Sequence, residues 1–282
     1  MIIKFKKYNE SFYNNTLQYY SFDIDDNLLY MPTEIIMEHL IDGEWVEQSV
    51  TTDEFSRVRN DKVHWRYLPG EESFSGFRDW GENGDNTFLI DFKRSVIDKN
   101  FGPSWGKFIE CLVNGHIFSI VTSRGHHPKN IRKAIYWLIY EYGLDNFKDF
   151  KMRGVDKKMS LEDQMIENLL SYHQIFGEEP EQVIDQYIEM CPIYTCSSPY
   201  FIKKFGVLPS VDVCKKVALE DFTKMVDKYA KKIGATAKLG FSDDDPKFVK
   251  SAIDIFSEIM SRYKGVKFSV FDTGGKGMTK RM

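Results

Sequence analysis

Three short apolar runs in this chain each end in a cluster of polar side chains, and this recurrence constrains the fold more than any other feature. Tyr19 to Phe22 runs into Asp23; "HIFSIVTSRG" from His116 runs into Thr122-Ser123-Arg124; "GATAKLGFSDDDP" from Gly234 runs into Ser242-Asp243-Asp244-Asp245. β-Branched and aromatic residues over such lengths read as buried strands. Helical patterns follow the second and third runs. One starts at Pro128, carries Ile131, Ile135, Leu138 and Tyr142, and stops at Gly143. The other starts at Pro246 with an apolar stripe through Val249, Ala252, Ile253, Phe256 and Ile259. A further helix, with Phe222, Met225, Val226 and Tyr229, ends at Gly234 just before the third strand. The alternation predicts an α/β fold, a Rossmann-like parallel sheet flanked by helices. Ligands in such sheets gather beyond the carboxyl ends of the strands, which is where all three polar clusters fall.

This pattern assigns residues 1–30, 103–143 and 190–282 to the core. Between them, "TEIIMEHLIDGEWVEQSV" alternates about Asp42-Gly43 as a β-hairpin does, so 31–102 reads as a hairpin flap and first cap insertion. Residues 144–189 read as a second, helical insertion, with Ser160 and Asp163 spaced as a capping box and Pro180 opening another helix. "CPIYTCSSPYF" reads as the return to the core. The basic end, "GGKGMTKRM", reads as a disordered tail.

At 282 residues and 42% hydrophobic, the chain can bury a substantial core. A net charge of −4 provides no global attraction for nucleic acid or anionic membrane, so any nucleic-acid contact would be local. Four scattered cysteines lack zinc spacing and suit a reducing, cytoplasmic setting. Neither a signal peptide nor a membrane span is legible.

The stretch "SFDIDDNLL" places Asp23, Asp25, Asp26 and Asn27 within five residues. Asp23, Asp25, Asn27 and Glu34 have the spacing of a calcium loop, but its sixth position, which requires Gly, holds Leu28. A solvated acidic turn is the plain alternative. Against it stands the second cluster at Asp243-Asp244-Asp245: carboxylates converging at one sheet edge repel unless a cation or protons compensate. Mg²⁺, bound through a few carboxylates plus waters and a substrate phosphate, suits such a site.

Phe22-Asp23-Ile24-Asp25, continued by Asp26-Asn27-Leu28, resembles the first motif of the haloacid-dehalogenase (HAD) superfamily of phosphohydrolases, a strand ending Asp-x-Asp. Ile120-Val121-Thr122 resembles the second motif, Ser242-Asp243-Asp244 the fourth, and "CKKVALEDF" offers Lys215 or Lys216 as the third. The layout also resembles HAD-like proteins of large tailed phages. Two departures stand out: Asp26-Asn27 replaces the usual Gly-Thr, and Ser242 stands where many members carry an acid.

The resemblance implies Asp23 as a nucleophile forming an aspartyl-phosphate, and Asp25 as general acid and then base. It implies Thr122 as a hydrogen-bond donor to a phosphoryl oxygen, and Lys215 or Lys216 as the ammonium that holds that group. An ammonium–carboxylate pair at about 4 Å and an effective dielectric near 20 is worth roughly 4 kcal/mol before desolvation. Asp23, Asp25 and one or both of Asp243 and Asp244 would hold the Mg²⁺. Ser123 and Arg124 are candidates for the substrate; His126 and His127 read as plain surface. The expected function is a Mg²⁺-dependent phosphatase acting on a nucleotide or another small phosphate ester. The alternatives are a nucleic-acid 3′-phosphatase, with "KKFG" and "RGHHPKNIRK" as a local basic groove, and a non-catalytic protein that keeps the fold and metal.

Overall fold

Strand β1 (Thr16–Phe22) runs straight into the acidic turn. The chain then leaves the main sheet for β2 (Ile35–Ile41), β3 (Glu44–Val50), α1 (Thr52–Val58), β4 (Trp65–Tyr67) and a 3₁₀ segment at Glu72–Phe77. It returns through α2 (Thr87–Ile97) and α3 (Trp105–Val113) to β5 (Phe118–Thr122) and α4 (Pro128–Trp137). Helices α5 (Leu161–Tyr172) and α6 (Pro180–Met190) lead to β6 (Ile193–Thr195) and α7 (Pro199–Phe205). The last stretch is α8 (Val211–Lys232), β7 (Thr236–Asp243), α9 (Pro246–Ile259), β8 (Val266–Asp272) and β9 (Thr279–Lys280). This computed structural model describes residues 16–70, 72–79, 87–156, 158–172, 179–275 and 277–282.

The main sheet has the order β6-β5-β1-β7-β8-β9 and is parallel throughout except for the β8–β9 pair. The expected α/β architecture is present, with helices against a mostly parallel sheet. From central β1 the chain goes to β5 and β6 on one side and to β7 and β8 on the other, so the order reverses at β1. A crevice opens at such a reversal, beyond the carboxyl ends of the strands. Phe22 is in register with Ile120 of β5 and Ser242 of β7, which brings the three polar clusters to one edge. The three strands and the helices at Pro128, before Gly234 and at Pro246 lie where the pattern placed them; the first of these continues as a π-turn to Gly143.

The core explains the alternation. All five residues of β5 are buried, and α8 lays Ala218, Leu219, Phe222 and Val226 against the sheet. The four cysteines are buried and free. Among the described residues no helix is long and apolar enough to cross a membrane.

The cap is a three-stranded antiparallel sheet, β3-β2-β4, with a small cluster of its own: Ile35, Met37, Val50 and Phe77. Its hairpin turns at Asp42 (φ 52°) and Gly43 (φ 86°); positive φ at both positions is what a two-residue turn needs to follow strand twist. The first insertion is shorter than 31–102, because Phe88, Phe92 and Val96 of α2 belong to the main core. Within 144–189, Leu161, Met165, Leu169, Val183 and Tyr187 also join the main core. An amphipathic helix pair too small to bury its own stripe packs on the nearest apolar surface, here α3. Ser160 does accept the Asp163 N–H, as the capping pattern implied. The basic end is ordered where described: Thr279–Lys280 pairs with β8, and Arg281 binds Asp272 at 2.8 Å.

The loop after β1 is pinned by the chain entering α3. Gly102 N–H donates to Leu28 O (2.8 Å) and Ser104 N–H to Asn27 O (2.9 Å). A Cβ on Gly102 would lie 2.7 Å from the Asn27 carbonyl carbon, whereas one on Gly275 would meet nothing within 4 Å. Gly102→Ala should therefore cost about 1–3 kcal/mol, read as a lowered urea midpoint at unchanged slope, with Gly275→Ala near wild type.

Candidate active site

Asp23 follows the last residue of β1 and is buried, as is Asp243 at the end of β7. Between them sits the ammonium of Lys215, from the first turns of α8, at 3.0 Å from Asp23 Oδ1 and 2.8 Å from Asp243 Oδ2. Lys215 is 3% exposed, and its Nζ lies 3.8 Å from the centre of the Phe248 ring. Asp244 completes the group: one carboxylate oxygen from each of Asp23, Asp243 and Asp244 lies within 4.8 Å of the others. Of the two neighbouring lysines, Lys215 is the one that faces the acids. Lys216, one step of about 100° further round the helix, is half-buried and does not line the cavity.

Three carboxylates against one ammonium leave negative charge in excess. Burial pushes the Asp23 carboxyl well above its usual range, and the Asp243 and Asp25 charges add to that against the pull of Lys215. Asp243 is also raised by burial, with Lys215 pulling it down. Burial and the charges of Asp243, Asp23 and Asp26 push Asp244 up to about 9. Burial alone would depress the Lys215 ammonium, but Asp23 and Asp243 together outweigh it and hold the group above its usual range. A set of carboxylate oxygens that resists full ionisation suits a hard divalent cation such as Mg²⁺.

Asn27 fixes the two strand ends relative to each other. Its side-chain N–H group donates to Asp23 O (2.9 Å) and to the Ser242 hydroxyl (3.1 Å). Its oxygen accepts from Ser104 Oγ (2.8 Å) and Thr273 Oγ1 (2.9 Å). Asp26, just before it, takes φ 55°, a left-handed conformation that Asp tolerates better than most residues. The Asp26-Asn27 pair thus makes the turn and the cross-link, and Ser242 serves the network with its hydroxyl. The calcium-loop arrangement is not formed. Asn27 turns inward to backbone, Asp25 binds an arginine, and Glu34 is exposed.

That arginine is Arg124. Its Nε and Nη2 donate to the two Asp25 oxygens at 2.9 and 2.6 Å, and Nη2 also donates to Thr33 Oγ1 at 2.9 Å. The guanidinium lies 4.5 Å from the centre of Phe77 and 5.5 Å from that of Phe88. Arg124, which also lines the cavity, thus holds Asp25 and joins the cap to the core. Ser123 is exposed and lines the cavity. Thr122 is buried, and its hydroxyl accepts the Arg124 N–H at 3.2 Å; it is not among the residues lining the cavity.

The cavity over these groups is about 780 Å³. Besides the acids, Lys215, Ser123 and Arg124, its walls include Phe55, Arg59, Phe74 and Phe77 of the cap and Phe248 of α9. Arg59 crosses to Asp245 at 2.9 Å. Sequence reading missed these cap residues. The pattern Thr51-Thr52-Asp53-Glu54 was the available signal, for Thr51 and Glu54 form a capping box that starts α1.

No family model, curated protein or solved structure matches this chain.

His126 is not at the surface as expected. It is buried beside Phe88 at 5.4 Å, with its Nε2 3.3 Å from Thr87 Oγ1. Burial, then the Arg124 charge, pushes its pKa down to about 3. The unfolded imidazole titrates near 6.5, so between about 6.5 and 3 the unfolded chain binds more protons and stability is lost as the pH is lowered. His126→Gln should remove about 2 kcal/mol of the loss between pH 7 and pH 5, measured by urea unfolding at both values. A second expectation concerns the acidic group. Mg²⁺ should raise the midpoint of thermal unfolding of the wild type at pH 7.5 and EDTA should reverse it, whereas Asp244→Asn should respond weakly.

Proposed function

We propose that this chain is a Mg²⁺-dependent phosphohydrolase that cleaves a small phosphate monoester through an aspartyl-phosphate on Asp23, with a HAD-like core. The observation that carries this reading is the buried triple of Asp23, Lys215 and Asp243, with Asp244 beside it, at the floor of a cavity where the strand order reverses.

Phosphate monoesters hydrolyse extremely slowly unaided, and a carboxylate attacking one meets a like charge. Lys215 lies within hydrogen-bond distance of the proposed nucleophile and can offset part of that charge as a phosphoryl group arrives. Bound Mg²⁺, held by Asp23, Asp243 and Asp244, would neutralise the remainder. Asp23 forms the new P–O bond as the bond to the leaving oxygen breaks, and Asp25 passes a proton to that oxygen. Asp25 then takes a proton from the water that cleaves the aspartyl-phosphate, which frees Asp23. The Arg124 pair uses one lone pair of each Asp25 oxygen, leaving others for these transfers. The cap, drawn down by Arg59–Asp245 and Arg124–Thr33, limits water at the floor.

The test is release of inorganic phosphate from p-nitrophenyl phosphate with Mg²⁺. Asp23→Asn should lose at least about 10³-fold in kcat, and Glu34→Gln, exposed and away from the floor, should match wild type. Equal rates for Asp23→Asn and wild type would remove the nucleophile. An inert wild type across a panel of phosphate esters, with Mg²⁺ still bound, would leave a metal-binding protein without turnover.

A further inference from the structure

The walls of the cavity differ in kind from its floor, and the difference bears on which ester fits. Phe55 of α1 and Phe74 of the 3₁₀ segment line it and are half-buried. Their rings meet edge to face, 5.6 Å apart at 90°, and Tyr67 backs both at 6.1 and 5.8 Å. The pair presents aromatic carbon to the cavity, against which a planar partner can pack. Across the floor, Phe248 lies against the Lys215 ammonium, so aromatic surface begins right beside the proposed phosphoryl position.

The cations tell the other half. Of the basic side chains lining the cavity, Lys215 is held by Asp23 and Asp243, Arg124 by Asp25, Arg59 by Asp245 and Lys247 by Asp212, and Arg78 is engaged as well. Lys215 and the acids are concentrated at the floor, and the cap adds Ile35, Phe55, Phe74 and Phe77 to the walls beside Thr52 and Ser56. A bare sugar phosphate would leave the Phe55 and Phe74 surface without a matching apolar partner.

We propose that the ester taken by this cavity is a monophosphate bearing a planar aromatic ring, which stacks on Phe55 and Phe74 of the cap while its phosphate lies over Lys215. Nucleoside 5′-monophosphates and aryl phosphates share this chemistry. The inference rests on the phosphohydrolase reading for the identity of the phosphate position, and on the cap alone for the ring.

Calorimetric binding to the inactive Asp23→Asn protein with Mg²⁺ separates the two. Adenosine 5′-monophosphate and phenyl phosphate are the ring-bearing arms, and ribose 5-phosphate keeps the ester without the ring. At least one ring-bearing ligand should bind about fivefold to a hundredfold tighter than ribose 5-phosphate; an advantage for phenyl phosphate alone would place the ring on the ester oxygen. Adding Phe74→Ala should bring the ratio to within about threefold. Phe74→Leu, which keeps apolar bulk and guards against a collapsed cap, should do the same. Equal affinity for all three ligands, or a ratio that survives Phe74→Leu, would overturn the proposal while leaving phosphate release by the wild type intact. Binding of none of them would overturn it too. A preserved ratio in a protein whose wild type releases no phosphate would sink the chemistry and leave the ring preference standing.

Discussion

A single ammonium held between two strand-end carboxylates organises this molecule. Lys215 is almost wholly buried, and Asp23 and Asp243 approach it from neighbouring strands. Such a group is expensive to desolvate and adds little stability for its own sake. The sheet supplies the carboxylates and α8 supplies the cation, while Asn27, Ser104, Ser242 and Thr273 hold the strand ends in place through hydrogen bonds between buried partners. A buried polar network is worth having only when its members are satisfied, and Asn27 uses both its N–H group and its oxygen.

The cap depends on the same groups from above. Its apolar cluster is small, so much of its attachment is polar. Arg124 joins Asp25 to Thr33, Thr33 donates onward to Asp91 of α2, Gly125 N–H donates to Phe77 O at 2.9 Å, and Arg59 reaches Asp245. Asp25 and Asp245, both adjacent to the cluster, therefore orient the cap and border the floor together. The cap's apolar cluster is separate from that of the main core.

Much of the fold was legible because buried parallel strands are written as continuous apolar runs and amphipathic helices as spaced stripes. β1, β5, β7, α4, α8 and α9 were read on those grounds. β8 was missed because Lys267 and Ser269 interrupt its apolar run and its burial is only partial. α2 was taken for cap although Phe88, Phe92 and Val96 recur every four residues, since its polar surroundings hid the stripe. In the site, Asp23, Asp243 and Asp244 were visible as acids at strand ends, but Arg124 and Asp25 are far apart in sequence, and no local pattern announces a pair separated by 99 positions.

The sequence by itself determined the layered α/β architecture and the kinds of side chain at the sheet edge, because periodicity and strand-end position are local properties of the chain. Tertiary structure alone decided which lysine faces the acids, that Arg124 pairs with Asp25, that 144–189 packs on the core, and that aromatic rings line the cavity above the charged floor. Each of those outcomes turns on a helix's rotation or on contacts between distant segments, and such relations exist only once the chain has closed on itself.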